Sequence, residues 1–118
     1  MFSFNCKINN EIQNSEERAL FVDLSDDISL FENLISKTVR GDISGFYLID
    51  RSQGEKIVLK ISDSDRFISN TLEVSVNTAE TIIKLCNDRI SGNAFPGYHV
   101  DFETANAVFI TFWLKSQA

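Results

Sequence analysis

The sequence is poor in the residues on which specialised chains depend. One proline and five glycines in 118 residues exclude a collagen-like chain or a low-complexity linker. Two cysteines, Cys6 and Cys86, lie far apart with no CxxC pair, so no disulfide framework is implied. Both are expected as buried free thiols, since cysteine is among the most buried residue types. The single histidine, His99, leaves the usual nitrogen and sulfur ligand sets for zinc unfilled. No apolar run approaches the roughly 20 residues of a membrane helix. The start, Met1-Phe-Ser-Phe-Asn-Cys-Lys, lacks the basic and apolar stretches of a signal peptide, and a cytoplasmic location is expected. No GxGxxG, GxxxxGK or GxSxG occurs, which removes those routes to nucleotide binding and the usual hydrolase elbow.

Basic residues are also scarce. Seventeen acids stand against eleven bases, a net charge of −6, and nine of the acids fall in residues 1–50 with only four bases. Phosphate contacts need clustered Lys and Arg, so direct nucleic-acid binding is not expected.

What is present suits one packed domain. At 118 residues with 43% hydrophobic and 11% aromatic content, the chain falls within the common domain size, and residues 1–118 read as one unit. Phe2, Phe4, Cys6 and Ile8 alternate with polar residues, the period of a half-buried strand. Leu20, Val22 and Leu24 alternate with Phe21 and Asp23 in a second strand, which a hairpin would join to the first. Ile28, Phe31, Leu34, Ile35 and Val39 then follow helical spacing. Ser25 or Ser29 is the expected cap, Asp26 and Asp27 suit the positive helix end, and Gly41 suits the stop.

Runs at Ile43–Asp50 and Glu55–Ile61 flank Arg51-Ser52-Gln53-Gly54, a hairpin signature. Ser62–Asn70 reads as a polar loop, followed by a strand through Leu72, Val74 and Val76. Ala79, Ile82, Ile83, Cys86 and Ile90 mark a second helix, with Asn77 or Thr78 as the expected cap and Gly92 as its end. Tyr98–Phe102 and Ala107–Leu114 close the chain as a hairpin. The expected fold is therefore α+β, a mainly antiparallel sheet of about six to seven strands with two helices packed on one face.

Candidate chemistry is thin. Cys86 with His99 offers a thiol and a base, but Cys86 falls on an apolar helix stripe, which predicts an inert thiol. Asp101 and Glu103 point the same way on an extended chain, and Asp63-Ser64-Asp65 has a D-x-D spacing. The first pair reads as solvated acids at a hairpin end. The second lacks the Gly and Glu of an EF-hand loop, those places being Ile68 and Val74. No catalytic residue, cofactor or metal is expected. Phe95-Pro96-Gly97-Tyr98 sets two aromatics at a turn, as a partner contact or a plug of the core edge. The last strand carries Val108, Ile110, Phe112 and Leu114 on one face and Phe109 and Trp113 on the other. Such a strand is either covered on both faces or part of an interface.

The clearest functional signal is acidic. Glu11, Glu16, Glu17, Asp23, Asp26 and Asp27 occupy seventeen residues in which Arg18 is the only base. This group is the expected partner-binding surface, a negative patch that steers a basic protein. In length, acidity and lack of catalytic motifs the chain resembles the small immunity proteins of bacterial toxin systems, including those of contact-dependent growth inhibition. That resemblance lies in the texture of the whole chain, so no residue role is carried over. It implies a non-enzymatic inhibitor that occludes a basic toxin or nuclease. The alternatives are a subunit or homodimeric accessory domain, and a small-ligand-binding or enzymatic domain.

Overall fold

The alternation from Phe2 to Ile8 serves two strands, not one. In the computed structural model, which describes residues 1–12, 18–24, 27–92 and 98–114, the chain enters as β1 (Ser3–Asn5), turns at Cys6 and continues as β2 (Lys7–Asn10). Phe4 and Ile8 are both buried, yet they belong to different sheets. A period of two is preserved across the break, so the pattern alone cannot register it.

The remaining elements are β3 (Ala19–Asp23), α1 (Ile28–Val39), β4 (Phe46–Asp50), β5 (Glu55–Ile61), β6 (Arg66–Ile68), β7 (Thr71–Val74), α2 (Val76–Ile90), β8 (Tyr98–Glu103) and β9 (Phe109–Leu114). The α+β class holds, but the single antiparallel sheet does not. Nine strands among the described residues form a five-stranded sheet in the order β1-β4-β5-β7-β6 and a four-stranded sheet in the order β2-β3-β9-β8. Both sheets are mixed. The pairs β1–β4, β5–β7 and β3–β9 run parallel. The hairpins β2–β3, β4–β5 and β8–β9 are antiparallel, as their short connections require. Parallel neighbours are distant in sequence or separated by an inserted strand, so local turn signals do not reveal them.

The inserted strand is β6. Only Phe67 of its three residues is buried, too short an alternation to stand out from a polar loop. It turns back into β7 through Ser69 and Asn70, both at positive φ (53° and 56°), the conformation of a tight two-residue hairpin.

Both helices are where their apolar spacing puts them, with different caps. Asp27 caps α1, its Oδ1 accepting from the Leu30 amide at 3.0 Å, in place of Ser25 or Ser29. Ser75 caps α2, its Oγ accepting from the Thr78 amide at 3.2 Å, in place of Asn77 or Thr78. Asp65 explains the second shift: it accepts from the Ser75 amide and the Thr78 hydroxyl, both at 2.7 Å, and so fixes where α2 begins. Gly41, at φ 78°, takes the left-handed position that ends α1.

One core joins the layers. The Phe31 ring of α1 lies 5.3 Å from Phe4 and 5.9 Å from Phe46 of the five-stranded sheet, and 5.5 Å from Phe112 of the four-stranded sheet. Leu20, Val22, Ile110 and Leu114 bury from one sheet, and Leu48, Ile57, Leu59 and Leu72 from the other. α1 and α2 pack on each other and feed the same core through Ile35, Ile82 and Cys86.

Polar pins hold the sheets together at two places. At one, the Asp50 carboxylate at the end of β4 accepts from the Ile8 amide of β2 at 2.8 Å. At the other, the Asn106 side chain in the β8–β9 turn accepts from the Phe67 amide (3.2 Å) and donates to the Phe67 carbonyl (2.8 Å). An amide side chain there does the work of a neighbouring strand. No helix among the described residues is long and apolar enough to cross a membrane.

Candidate functional site

The four-stranded sheet buries one face and leaves the other to solvent, and the free face holds the concentration of exposed aromatics. Alternation along β9 sends Ile110, Phe112 and Leu114 into the core and turns Phe109, Thr111 and Trp113 outward. β9 lies between β3 and β8, and the registers therefore set outward residues side by side across the sheet. One row reads Lys7, Asp23, Trp113, His99, and the next Asn9, Phe21, Thr111, Asp101. Phe109 lies opposite Glu103 beyond them. Phe21, Phe109 and Trp113 are 42%, 51% and 39% exposed. β9 is central in its sheet yet covered on one face only, so the expectation of a strand buried on both faces does not hold.

The polar groups around the aromatics are ordered. The His99 ring stacks on Trp113 at 4.9 Å between centroids with 15° between planes. His99 Nε2 lies 3.0 Å from Asp101 Oδ2, and the Thr111 hydroxyl donates to Asp101 Oδ1 at 2.7 Å. Asp101 thus braces the imidazole that braces the indole. Asp23, at the end of β3, is half-buried, and its Oδ1 is closed off from solvent with no hydrogen-bond donor among the described residues. A groove of about 530 Å³ runs along this face, bounded by Lys7, Asn9, Phe21, Asp23, Thr111 and Trp113 and walled by Ser52 and Gln53 of the β4–β5 turn.

The groove wall rests on Asp50, which is 3% exposed. Besides the Ile8 amide, its carboxylate accepts from the Ser52 amide (3.0 Å), the Ser52 hydroxyl (2.7 Å) and the Gln53 amide (3.3 Å). The Ile8 hydrogen bond, then that of the Ser52 hydroxyl, hold the Asp50 carboxyl below its ordinary value, against the opposing pull of burial. All its donors come from the fold, which makes it a structural carboxylate.

The acidic group of the sequence divides. Glu11 is exposed just beyond β2, and its Oε1 accepts from Asn9. Asp23 lies at the other end of the β2–β3 pair, about 13 Å away at the usual strand rise. Asp27 is spent on the α1 cap. Glu16, Glu17 and Asp26 lie outside the described residues, as do Phe95, Pro96 and Gly97. The acids that share a face with the aromatics are Asp23, Asp101 and Glu103. Sequence reasoning placed Asp101 and Glu103 on one side of a strand but did not join them to Trp113, because the register between strands is tertiary information. Phe21 carried the available signal: an aromatic at the outward position of an alternating strand.

The remaining candidate groups are separated. Cys86 lies in the core on α2, while His99 points outward from β8, so no thiol–imidazole pair forms. Burial first, then the Glu32 charge, pushes the Cys86 thiol up to about 12. Burial, with the Asp50 charge second, pushes half-buried Cys6 up to about 12 as well. Both shifts disfavour the thiolate, the reactive form, at neutral pH. Among the described residues no three His, Cys, Asp or Glu side chains converge as a metal site. No protein-family model, curated protein or solved structure matches this chain.

Proposed function

We propose that the protein is a non-enzymatic inhibitor that covers a basic protein, a toxin or nuclease, with the outer face of its four-stranded sheet. The observation that carries this reading is the grouping of Phe21, Phe109 and Trp113 on one exposed face with Asp23, Asp101 and Glu103 around them. Aromatics supply large contact area at little cost in conformational freedom and dominate interface energies. The acids accelerate encounter with a positively charged partner and set its orientation. The net charge of −6, with nine acids against four bases in residues 1–50, adds to that steering, and Glu11, Glu16, Glu17, Asp26 and Asp27 are among the acids that supply it. A contact of standard size buries roughly 800 Å² on each partner.

A homodimer through the same face is the second reading, favoured by the exposed aromatics. It is the weaker one, because a two-fold contact sets a patch against its own copy and brings Asp23, Asp101 and Glu103 towards their equivalents.

Affinity capture from the native host at low and moderate salt, with native mass spectrometry of the eluate, tests the proposal. A stoichiometric basic partner is expected, released as salt rises, with its toxin or nuclease activity silenced in the complex. Asp101→Lys with Glu103→Lys is expected to slow association about tenfold or more and flatten its salt dependence. Phe109→Ser is expected to speed dissociation. Recovery of the chain alone, or only with itself, overturns the inhibitor reading.

A further inference from the structure

We infer that the groove lined by Trp113 and Asp23 is a recognition site for a single arginine side chain presented by the partner. This rests on the reading of the sheet face as a docking surface and adds which residue type enters it. Three observations converge. First, Trp113 stands between His99 on β8 and Asp23 on β3 in one cross-strand row. His99 covers the β8 side of the indole in a near-parallel stack, so the second face of the ring is turned to the groove on the β3 side. An indole face in an open groove attracts a planar cation.

Second, the Asp23 carboxylate beside Trp113, between it and Lys7 in that row, is under-satisfied. Its Oδ1 is shielded from water, and no described residue donates to it. A shielded acceptor without a donor is costly, and native structures seldom leave one without a reason. The χ2 torsion of aspartate is broad, so a small rotation turns both oxygens to an incoming group. Third, the resident cation does not fill the role. Lys7 lies directly opposite Asp23 in register, yet the two make no ion pair.

Guanidinium matches both neighbours at once. It is planar, stacks on an indole, and gives a carboxylate two parallel N–H donors. A lysine ammonium would meet the charge without the stack. A groove of about 530 Å³ is in the size range of small-molecule sites and has room for a guanidinium.

Trp113 is the only tryptophan, so its fluorescence reports the groove directly. The probe is the capped peptide acetyl-Gly-Arg-Gly-amide, titrated beside its lysine and citrulline analogues. Citrulline keeps the shape and loses the charge. The expected result is a saturable change with the arginine peptide, about tenfold weaker or more with citrulline, and weaker with lysine. Asp23→Asn is expected to lose about tenfold in affinity. Lys7→Met, an exposed position, is expected to gain severalfold by removing a competing charge from the groove. Citrulline binding as tightly as arginine, or an Asp23→Asn protein that folds and binds unchanged, overturns the proposal. If Asp23→Asn fails to fold, the citrulline and Lys7→Met comparisons decide it. The two readings separate cleanly. Arginine-peptide binding with no basic protein captured supports the groove and removes the inhibitor reading. A captured basic protein whose affinity ignores Asp23→Asn keeps the inhibitor and overturns the groove.

Discussion

Asp50 shows how a single side chain can hold an architecture. Its carboxylate gathers the Ile8 amide from one sheet and the Ser52 and Gln53 donors from the turn that closes the other. Because native Asp50 titrates below its ordinary value of 3.8, the unfolded chain binds its proton more readily than the folded one. Its stabilisation is therefore present above about pH 4 and fades as pH falls through the lower native value. Melting temperatures measured between neutral pH and strong acid are expected to fall most steeply below that point. Asp50→Asn sets an amide NH₂ against these donors, and is expected to lower the melting temperature at neutral pH and to blunt the acid fall. An identical acid profile in wild type and variant would remove Asp50 as the linked group. A buried aspartate at the end of a strand was visible in the sequence only as the polar close of an apolar run. Its partner Ile8 is 42 residues away.

At the scale of elements, the helices and all hairpins but β6–β7 were legible because their signals are local. Spacings of three and four marked α1 and α2, and the polar turns marked β4–β5 and β8–β9. Caps shifted because the choice among neighbouring Ser, Thr, Asn and Asp depends on where the preceding strand lets go, as Asp65 decides for Ser75. The strand starts are set by close approaches that no pattern announces. Gly45 enters β4 against β5, and a Cβ placed there would stand 2.6 Å from the Leu59 carbonyl oxygen, which is backbone and cannot step aside. Gly45→Ala is expected to cost about 1–3 kcal/mol, the usual range for overpacking, read as a lower urea midpoint at unchanged slope. A neutral substitution would mean that the β4–β5 pair parts without cost at this end.

For the whole molecule, Phe31 is the test of unity. Its ring touches Phe4, Phe46 and Phe112, and so meets both sheets from one position on α1. Phe31→Ala is expected to cost about 3–5 kcal/mol, a large part of the roughly 5–15 kcal/mol that holds such a domain. Since the sheets share the core, Trp113 fluorescence on the four-stranded sheet and far-ultraviolet circular dichroism should lose their signals at one urea concentration. Two separated transitions would show that the sheets unfold independently. The candidate site belongs to this scale too, since its rows exist only once β3, β9 and β8 lie together.

By itself, the sequence determined the class, the two helices, the β2–β3, β4–β5 and β8–β9 hairpins and most inward faces of the strands, because periodicity and turn chemistry act over a few residues. It also determined the acidity. Only the tertiary structure decided that one alternating segment divides between two sheets at Cys6 and that β9 runs parallel to β3. Only there do Asp23, Trp113 and His99 form one row. Parallel pairing and register arise from contacts between residues distant in the chain. The free energy that selects them is the burial of a shared core around Phe31, which no local pattern encodes.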